Sequence, residues 1–250
     1  MEIKEIPLPD EIAMTLDKIE QEASPVSVFV YGSRARKDYK EQSDFEVGVL
    51  FNRDKKWGRS QLATLHNISG LNVYPFILED FQQYKLDTPF PKATYLRELM
   101  AGAVTVRGQK VLEAMELPEV RLSDLVEVAT FQTAYALGAV LSARQKDLVT
   151  ASIGFTKSAL FGARALVILE AGNFPLSYDE IYEEANKLNF LDEEAKAILA
   201  HAMDVRKGQP LNLDMLYKNI TFLNQTVYPR IKDQLVSGDK VVLQGHAVSY

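Results

Sequence analysis

The sequence contains no cysteine. Disulfides, thiolate metal sites and cysteine nucleophiles are therefore excluded. Histidine is scarce, at 3 in 250 residues, and widely spaced, which speaks against a His-rich metal centre. Unbroken apolar runs such as Val26–Tyr31 and Val47–Phe51 are far shorter than the ~20 residues of a bilayer span, so no membrane partner is expected. Basic residues are not in excess. Lys and Arg number 28 against 34 Asp and Glu, a net charge of -6, so no bulk basic field draws the chain to nucleic acid. Met1-Glu2-Ile3-Lys4-Glu5 lacks an apolar segment, and no signal peptide is expected from it. What is present is ordinary globular composition, 47% hydrophobic and 25% charged, pointing to an acidic, cytoplasmic chain of one or two domains.

The first half mixes strand and helix signals. Ile12, Leu16 and Ile19 give helical spacing over Asp10–Glu22, and Ser24-Pro25 breaks it. Val26–Tyr31 reads as a buried strand and Asp44–Phe51 as a second. Ser60–Ile68 reads as a helix stopping at Gly70. Leu71–Leu78 reads as a third strand, with Pro75 marking an edge or a bulge. Tyr95–Met100 is helical, and Ala103–Arg107 is a short strand. From Ser123, read as an N-cap, helices are predicted over Ser123–Gln145, Thr150–Glu170, Ser177–Leu188, Asp192–Val205 and Leu213–Gln234. The predicted boundaries are a first domain at 1–118, a helical bundle at 119–237 and a tail at 238–250, which pairs as a short strand or frays.

One segment carries chemistry. A buried strand ends at Gly32-Ser33, where glycine permits a sharp turn and Ser33 opens a short helix. Free backbone N–H groups with a Ser hydroxyl beside them form an anion site. Arg34, Arg36 and Lys37 add positive charge. Asp44 and Glu46 follow on the next strand. Side chains alternate with period 2, so the two carboxylates share one face while Phe45, Val47, Val49 and Phe51 point to the other. Two carboxylates near a phosphate cradle can hold Mg²⁺ against a nucleoside triphosphate.

Gly32-Ser33-x-Ala35-Arg36 followed by Ser43-Asp44-x-Glu46 resembles the nucleotidyltransferase superfamily that includes DNA polymerase beta. It is most similar to the minimal and kanamycin nucleotidyltransferase-like members. The resemblance covers about Asp10 to Gly108. It implies an α+β fold, with a small mixed-sheet nucleotidyltransferase domain followed by an antiparallel helical bundle. It also implies an activity: moving a nucleoside monophosphate from a triphosphate to a small-molecule or protein hydroxyl with Mg²⁺ as cofactor. Gly32, Ser33 and Arg36 take the nucleotide-binding positions, and Asp44 and Glu46 the catalytic, metal-binding ones. Two departures stand out. Lys37 occupies a position that is often glycine in the family. The third strand carries Asn72 where active relatives usually have an acid. Glu79 and Asp80 are candidates for a replacement acid, though a helix-capping role explains them as well. Asn72 therefore leaves a second reading open, a catalytically reduced, antitoxin-like nucleotide-binding module.

The helical half, through Lys157–Leu169 with Gly172, Pro175 and Ser177, resembles the HEPN-like bundles that accompany such transferases. The Arg-x4-His spacing of HEPN ribonucleases is absent, and His201 reads as a surface or partly packed helix residue. Lys157 and Arg164, seven apart, share a helix face and either bind an acceptor or stay solvated. Tyr135, Phe155, Phe161 and Tyr182 read as bundle core. Trp57, with Arg53, Lys55, Lys56 and Arg59, reads mainly as a solvated loop. A homodimer is compatible with the sequence.

Overall fold

A computed structural model describes residues 6–40 and 43–245. Met1–Glu5, where no leader is expected, and the last residues of the tail, His246–Tyr250, lie outside the described residues. Two compact units emerge. One holds the described residues up to Thr88 together with Tyr95–Pro118. The other holds Pro89–Thr94 and Glu119–Gln244.

The first unit contains helices α1 (Asp10–Ala23), α2 (Gly32–Arg36), α3 (Arg59–Ala63), α4 (Leu78–Gln82) and α5 (Lys92–Gly102), the last beginning in the other unit. Its strands are β1 (Ser27–Tyr31), β2 (Phe45–Phe51), β3 (Leu71–Ile77) and β4 (Val104–Gly108). They form one sheet in the order β3-β2-β1-β4. β1 pairs antiparallel with β2 and β4, whereas β2 and β3 run parallel, so the sheet is mixed. β3 lies at the edge, which leaves room for Pro75 and its missing N–H.

Alternation divides the sheet between two cores. Val28, Val30, Phe45, Val47, Val49, Phe51, Leu71 and Val73 pack with Ile12, Leu16 and Ile19 of α1. The opposite face gives Phe29, Tyr31 and Leu50 to a second core with Leu96, Leu99 and Met100 of α5. At Gly48 the Phe29 ring crosses β2 so closely that a Cβ would stand 2.1 Å from its Cζ. The helix expected over Ser60–Ile68 ends at Ala63. Thr64 Oγ1 turns back to donate to the Gln61 carbonyl, and His66-Asn67-Ile68-Ser69 are weak helix formers.

The second unit contains β5 (Val120–Arg121), α6 (Leu122–Arg144), α7 (Leu148–Ala171), α8 (Tyr178–Asn186), α9 (Glu193–Arg206), α10 (Leu213–Phe222), α11 (Tyr228–Leu235) and β6 (Val241–Leu243). β5 and β6 pair antiparallel. Two expectations are corrected here. Ser123 is not the N-cap of α6, since Arg121 is. Asp124 accepts the Arg121 backbone N–H at 2.7 Å, while Asp239 accepts both the N–H and the Oγ–H of Ser123. The final helix is not continuous over Leu213–Gln234. A π-helical turn at Leu223–Val227 interrupts it, packed so tightly on α7 that a Cβ on Gly162 would stand 2.4 Å from Leu223 Cδ2.

α6 and α7 are long and apolar enough to cross a membrane, which a search for unbroken runs misses because small and polar residues punctuate them. α7 owes that composition to the bundle core, where Phe155, Ala159, Leu160, Ala163, Leu166 and Val167 are wholly buried.

The crowding at Gly48 is testable. Gly48→Ala is expected to lower stability by about 1–3 kcal/mol, the range for overpacking a core. In denaturant unfolding, the Gly48→Ala/Phe29→Leu double variant should lose less than the sum of the single losses.

Candidate active site

Register places the chemistry in one row. Tyr31 on β1 pairs with Glu46 on β2, and Glu46 pairs with Asn72 on β3. Cross-strand partners share a face, so Glu46 lies between a phenol and an amide. The next row on the same face is Phe29, Gly48 and Tyr74. Asp44 stands one residue before β2, and the backbone N–H of Phe45 donates to the Gly70 carbonyl at 2.7 Å. Asn72 Nδ2 donates to Asp44 Oδ2 at 2.9 Å, which brings the Asp44 carboxylate to the side of the sheet that holds Glu46. The strand face expected for the two acids is thus formed, although Asp44 itself precedes the strand.

Gly32 joins this row from the end of β1. Its φ is +72°, and a Cβ there would stand 1.9 Å from Glu46 Oε2. Glycine is required twice over, by the left-handed backbone and by a carboxylate lying against its Cα. Ser33 follows in the first turn of α2, and its carbonyl accepts from Asp38 N–H at 3.1 Å. α2 ends at Lys37 with φ +62°. The position where relatives often carry glycine is therefore one that favours it, and lysine holds it here at a backbone cost.

The basic residues around the turn are engaged within the unit. Arg36 Nη1 donates to Glu98 Oε1 at 2.8 Å, its Nε lies 3.6 Å from Asp38 Oδ2, and only 8% of its side chain is exposed. Its charge ties α2 to α5. Arg34 donates from Nε and Nη2 to the Ser43 carbonyl, at 3.1 and 2.7 Å. The guanidinium also lies over the rings of Tyr39 and Phe45. Arg34 thereby fixes the residue immediately before Asp44, a role no sequence spacing announces.

Two phenols adjoin Glu46. Tyr31 is pushed far above the ordinary phenol range, by burial first and then by Tyr95 and Glu46. Tyr95 on α5 is pushed up to about 12, again by burial first, then by Glu46 and Glu98. Both stay protonated at neutral pH. Glu79 and Asp80 lie elsewhere. They follow Ile77, at the far end of β3 from Asn72, roughly 16 Å away at the rise of a strand. Glu79 accepts the Arg53 backbone N–H, and Asp80 pairs with the Arg53 guanidinium. Neither replaces the acid missing at Asn72. Among the described residues no three of His, Cys, Asp and Glu gather into a metal cluster.

Residues 12–90 match the family model of the nucleotidyltransferase domain. The N-terminal unit is a nucleotidyltransferase domain. The match takes in Gly32, Ser33, Arg36, Asp44, Glu46 and Asn72. A search of the curated proteins finds no significant match. Among solved structures the fold is similar to a spectinomycin adenyltransferase, AAD(9), from Enterococcus faecialis, crystallised with ATP and spectinomycin. That likeness has a TM-score of 0.55 at 13% identity and covers 89% of this chain and 98% of the other. It therefore extends from the nucleotidyltransferase domain into the helical residues, as a likeness of fold.

The remaining candidates resolve into packing. Trp57 is packed against the core beneath the sheet. Arg164 is buried, with its guanidinium over Phe161 and Phe174, while Lys157 is partly exposed on the same helix. His201 Nε2 accepts the Asn212 backbone N–H at 2.9 Å, and its ring adjoins Phe155. Phe155 is core, with Phe161 and Tyr182 packed against it. Tyr135 corrects the expectation: it lies outside that core and stacks on Phe131, itself edge-on to Phe90.

Two outcomes follow from this geometry. Gly32→Ala should cost more than Gly172→Ala in thermal unfolding. Gly172 has φ +63° with nothing within 4 Å of a Cβ, so it reports the left-handed penalty of about 1–2 kcal/mol alone; Gly32 adds the collision with Glu46. The phenols set the alkaline limit. An unfolded tyrosine ionises near pH 10, while folded Tyr95 holds its proton to about 12. Between these values the unfolded state releases the proton first, so stability present below pH 10 is lost as pH rises towards 12. Tyr95→Phe should flatten that decline in denaturant titrations run across the same interval.

Proposed function

We propose that the chain transfers a nucleoside monophosphate from a nucleoside triphosphate to a hydroxyl of a small molecule or protein, with Mg²⁺ as cofactor. The observation that carries this reading is Glu46 lying against the Gly32 turn with Asp44 beside it, inside a nucleotidyltransferase domain. In this reading the backbone N–H groups and hydroxyl of Gly32-Ser33 receive the triphosphate. Arg36 braces the turn through Glu98 and Asp38. Asp44 and Glu46 are the metal-binding and catalytic carboxylates.

The donor set fits one Mg²⁺, because such an ion is commonly held by one or two carboxylates with substrate phosphates and water completing its shell. When bound there, Mg²⁺ neutralises phosphate charge. The acceptor oxygen attacks the α-phosphorus, the bond to the bridging oxygen breaks, and pyrophosphate leaves. A small-molecule acceptor is supported by the fold neighbour, whose structure holds ATP and spectinomycin. The net charge of -6 weighs against a nucleic-acid acceptor. For the helical unit the HEPN-like reading is part of the same proposal.

Asn72 favours a second reading, an antitoxin-like module that binds nucleotide and turns it over poorly. Its amide donates to Asp44 where an acid would add charge. Labelled-nucleotide transfer to hydroxyl acceptors separates the two. Transfer that is lost in Asp44→Asn and Glu46→Gln supports the enzyme. Tight Mg-nucleotide binding without pyrophosphate release supports the module. Binding that Asp44→Asn leaves unchanged defeats the metal assignment in both. Asn72→Asp should strengthen Mg²⁺ binding by about 1–3 kcal/mol, the size of a charge-assisted interaction, and raise transfer above wild type. Equal Mg²⁺ titrations of the two proteins would contradict it.

A further inference from the structure

Arg59 opens α3, and its guanidinium lies 4.5 Å over the Tyr74 ring. The ring is an adequate seat for a cation but supplies no counter-charge. The other arginines of this unit have oxygen partners: Arg34 the Ser43 carbonyl, Arg36 Glu98, Arg53 Asp80, Arg97 the Pro118 carbonyl and Arg107 Asp17. Among the described residues no carboxylate or carbonyl pairs with Arg59, and its side chain is exposed.

Position gives this cation its meaning. Tyr74 is the residue after next from Asn72 on β3, on the face that holds Glu46. β2 lies between β1 and β3. The Gly32 turn therefore flanks Glu46 from one side, and the Tyr74–Arg59 pair flanks it from the other. In-line displacement at phosphorus requires the attacking and leaving oxygens on opposite sides. If the triphosphate occupies the β1 side, the acceptor approaches from the β3 side. There it meets a phenol, an amide and an arginine.

We propose that Arg59, seated on Tyr74, is the anion-binding arm of the acceptor subsite, so the acceptor is a hydroxyl compound that also carries a phosphate or carboxylate. This rests on the nucleotidyl-transfer reading above and deepens it. Guanidinium binds such groups through two parallel N–H donors. Asn72 fits the same logic, since an acid there would repel an anionic acceptor. A polycationic acceptor would meet Arg59 with like charge. The transfer balances as follows: the acceptor hydroxyl oxygen bonds to the α-phosphorus, the α–β bridging bond breaks, pyrophosphate departs with that oxygen, and the hydroxyl proton passes to solvent.

The test uses the full chain with Mg²⁺ and a non-hydrolysable ATP analogue. Calorimetric titrations follow with glycerol 3-phosphate, gluconate and O-phosphoserine as anionic probes, and with glycerol and spectinomycin as neutral and cationic ones. The expected result is binding of at least one anion, weakened about tenfold or more by Arg59→Ala and by Arg59→Glu, with the affinity for the analogue held within about twofold of wild type. Loss of analogue affinity in Arg59→Ala by about tenfold would assign the arm to the nucleotide and overturn the proposal. Anion binding indifferent to Arg59, binding of the neutral or cationic probe alone, or binding of no probe would overturn it too. Failure of the transfer reading shows separately. The analogue would then bind wild type and Asp44→Asn alike, while anion binding kept its dependence on Arg59.

Discussion

The carboxylate of Glu46 lies against the backbone of Gly32, and the rest of the N-terminal unit is arranged around that approach. No side chain fits at Gly32, so the strand must end there in a left-handed turn. The turn starts α2, whose Arg36 is held by Glu98 on α5. α5 covers the same sheet face and brings Tyr95 to Glu46. Arg34, two residues before Arg36, fixes Ser43 and with it the start of the Asp44–Glu46 segment. A single close contact between an acid and a glycine therefore organises two strands and two helices. It also sets a carboxylate directly against the backbone of the turn.

Much of this was legible in the sequence, for reasons of period. Alternation on β2 separated Glu46 from Phe45, Val47, Val49 and Phe51, and those four are buried in one core. Asn72, singled out on the third strand as the place of an absent acid, lies beside the carboxylates and donates to Asp44. The edge position of β3 was written in Pro75. What escaped was long-range or depended on competing partners. Arg34 was read only as positive charge beside the turn, yet its partner is a carbonyl nine residues on. Ser123 looked like a cap because Ser is a good one, but Asp239, far along the chain, claims both of its donors. Arg59 and Tyr74 lie fifteen positions apart, and nothing in local spacing forecasts that they stack.

The helical unit shows a different division. Most of its helix boundaries follow from caps such as Ser177 and Asp192, each accepting from a backbone N–H in the first turn. Its interruptions do not. The π turn at Leu223–Val227 lies opposite Gly162, and one buried amide, Asn219, donates to Ser158 on α7. Periodicity describes the faces of these helices well. It is silent on where tight packing forces one of them to take an extra residue per turn.

β3 separates chemistry from cohesion along a single strand. Leu71 and Val73 are buried in the core beneath the sheet, while Asn72 and Tyr74 alternate with them on the side of the carboxylates. The strand is also an edge, bonded to one neighbour only. Exchange of Asn72 for an acid leaves the core contacts of Leu71 and Val73 in place, whereas Tyr74 also packs against the second core. Gly32 and Gly48, by contrast, are locked by collision with Glu46 and Phe29. Substitution at position 72 therefore alters the polar surroundings of the carboxylates while leaving the packing beneath the sheet as it is.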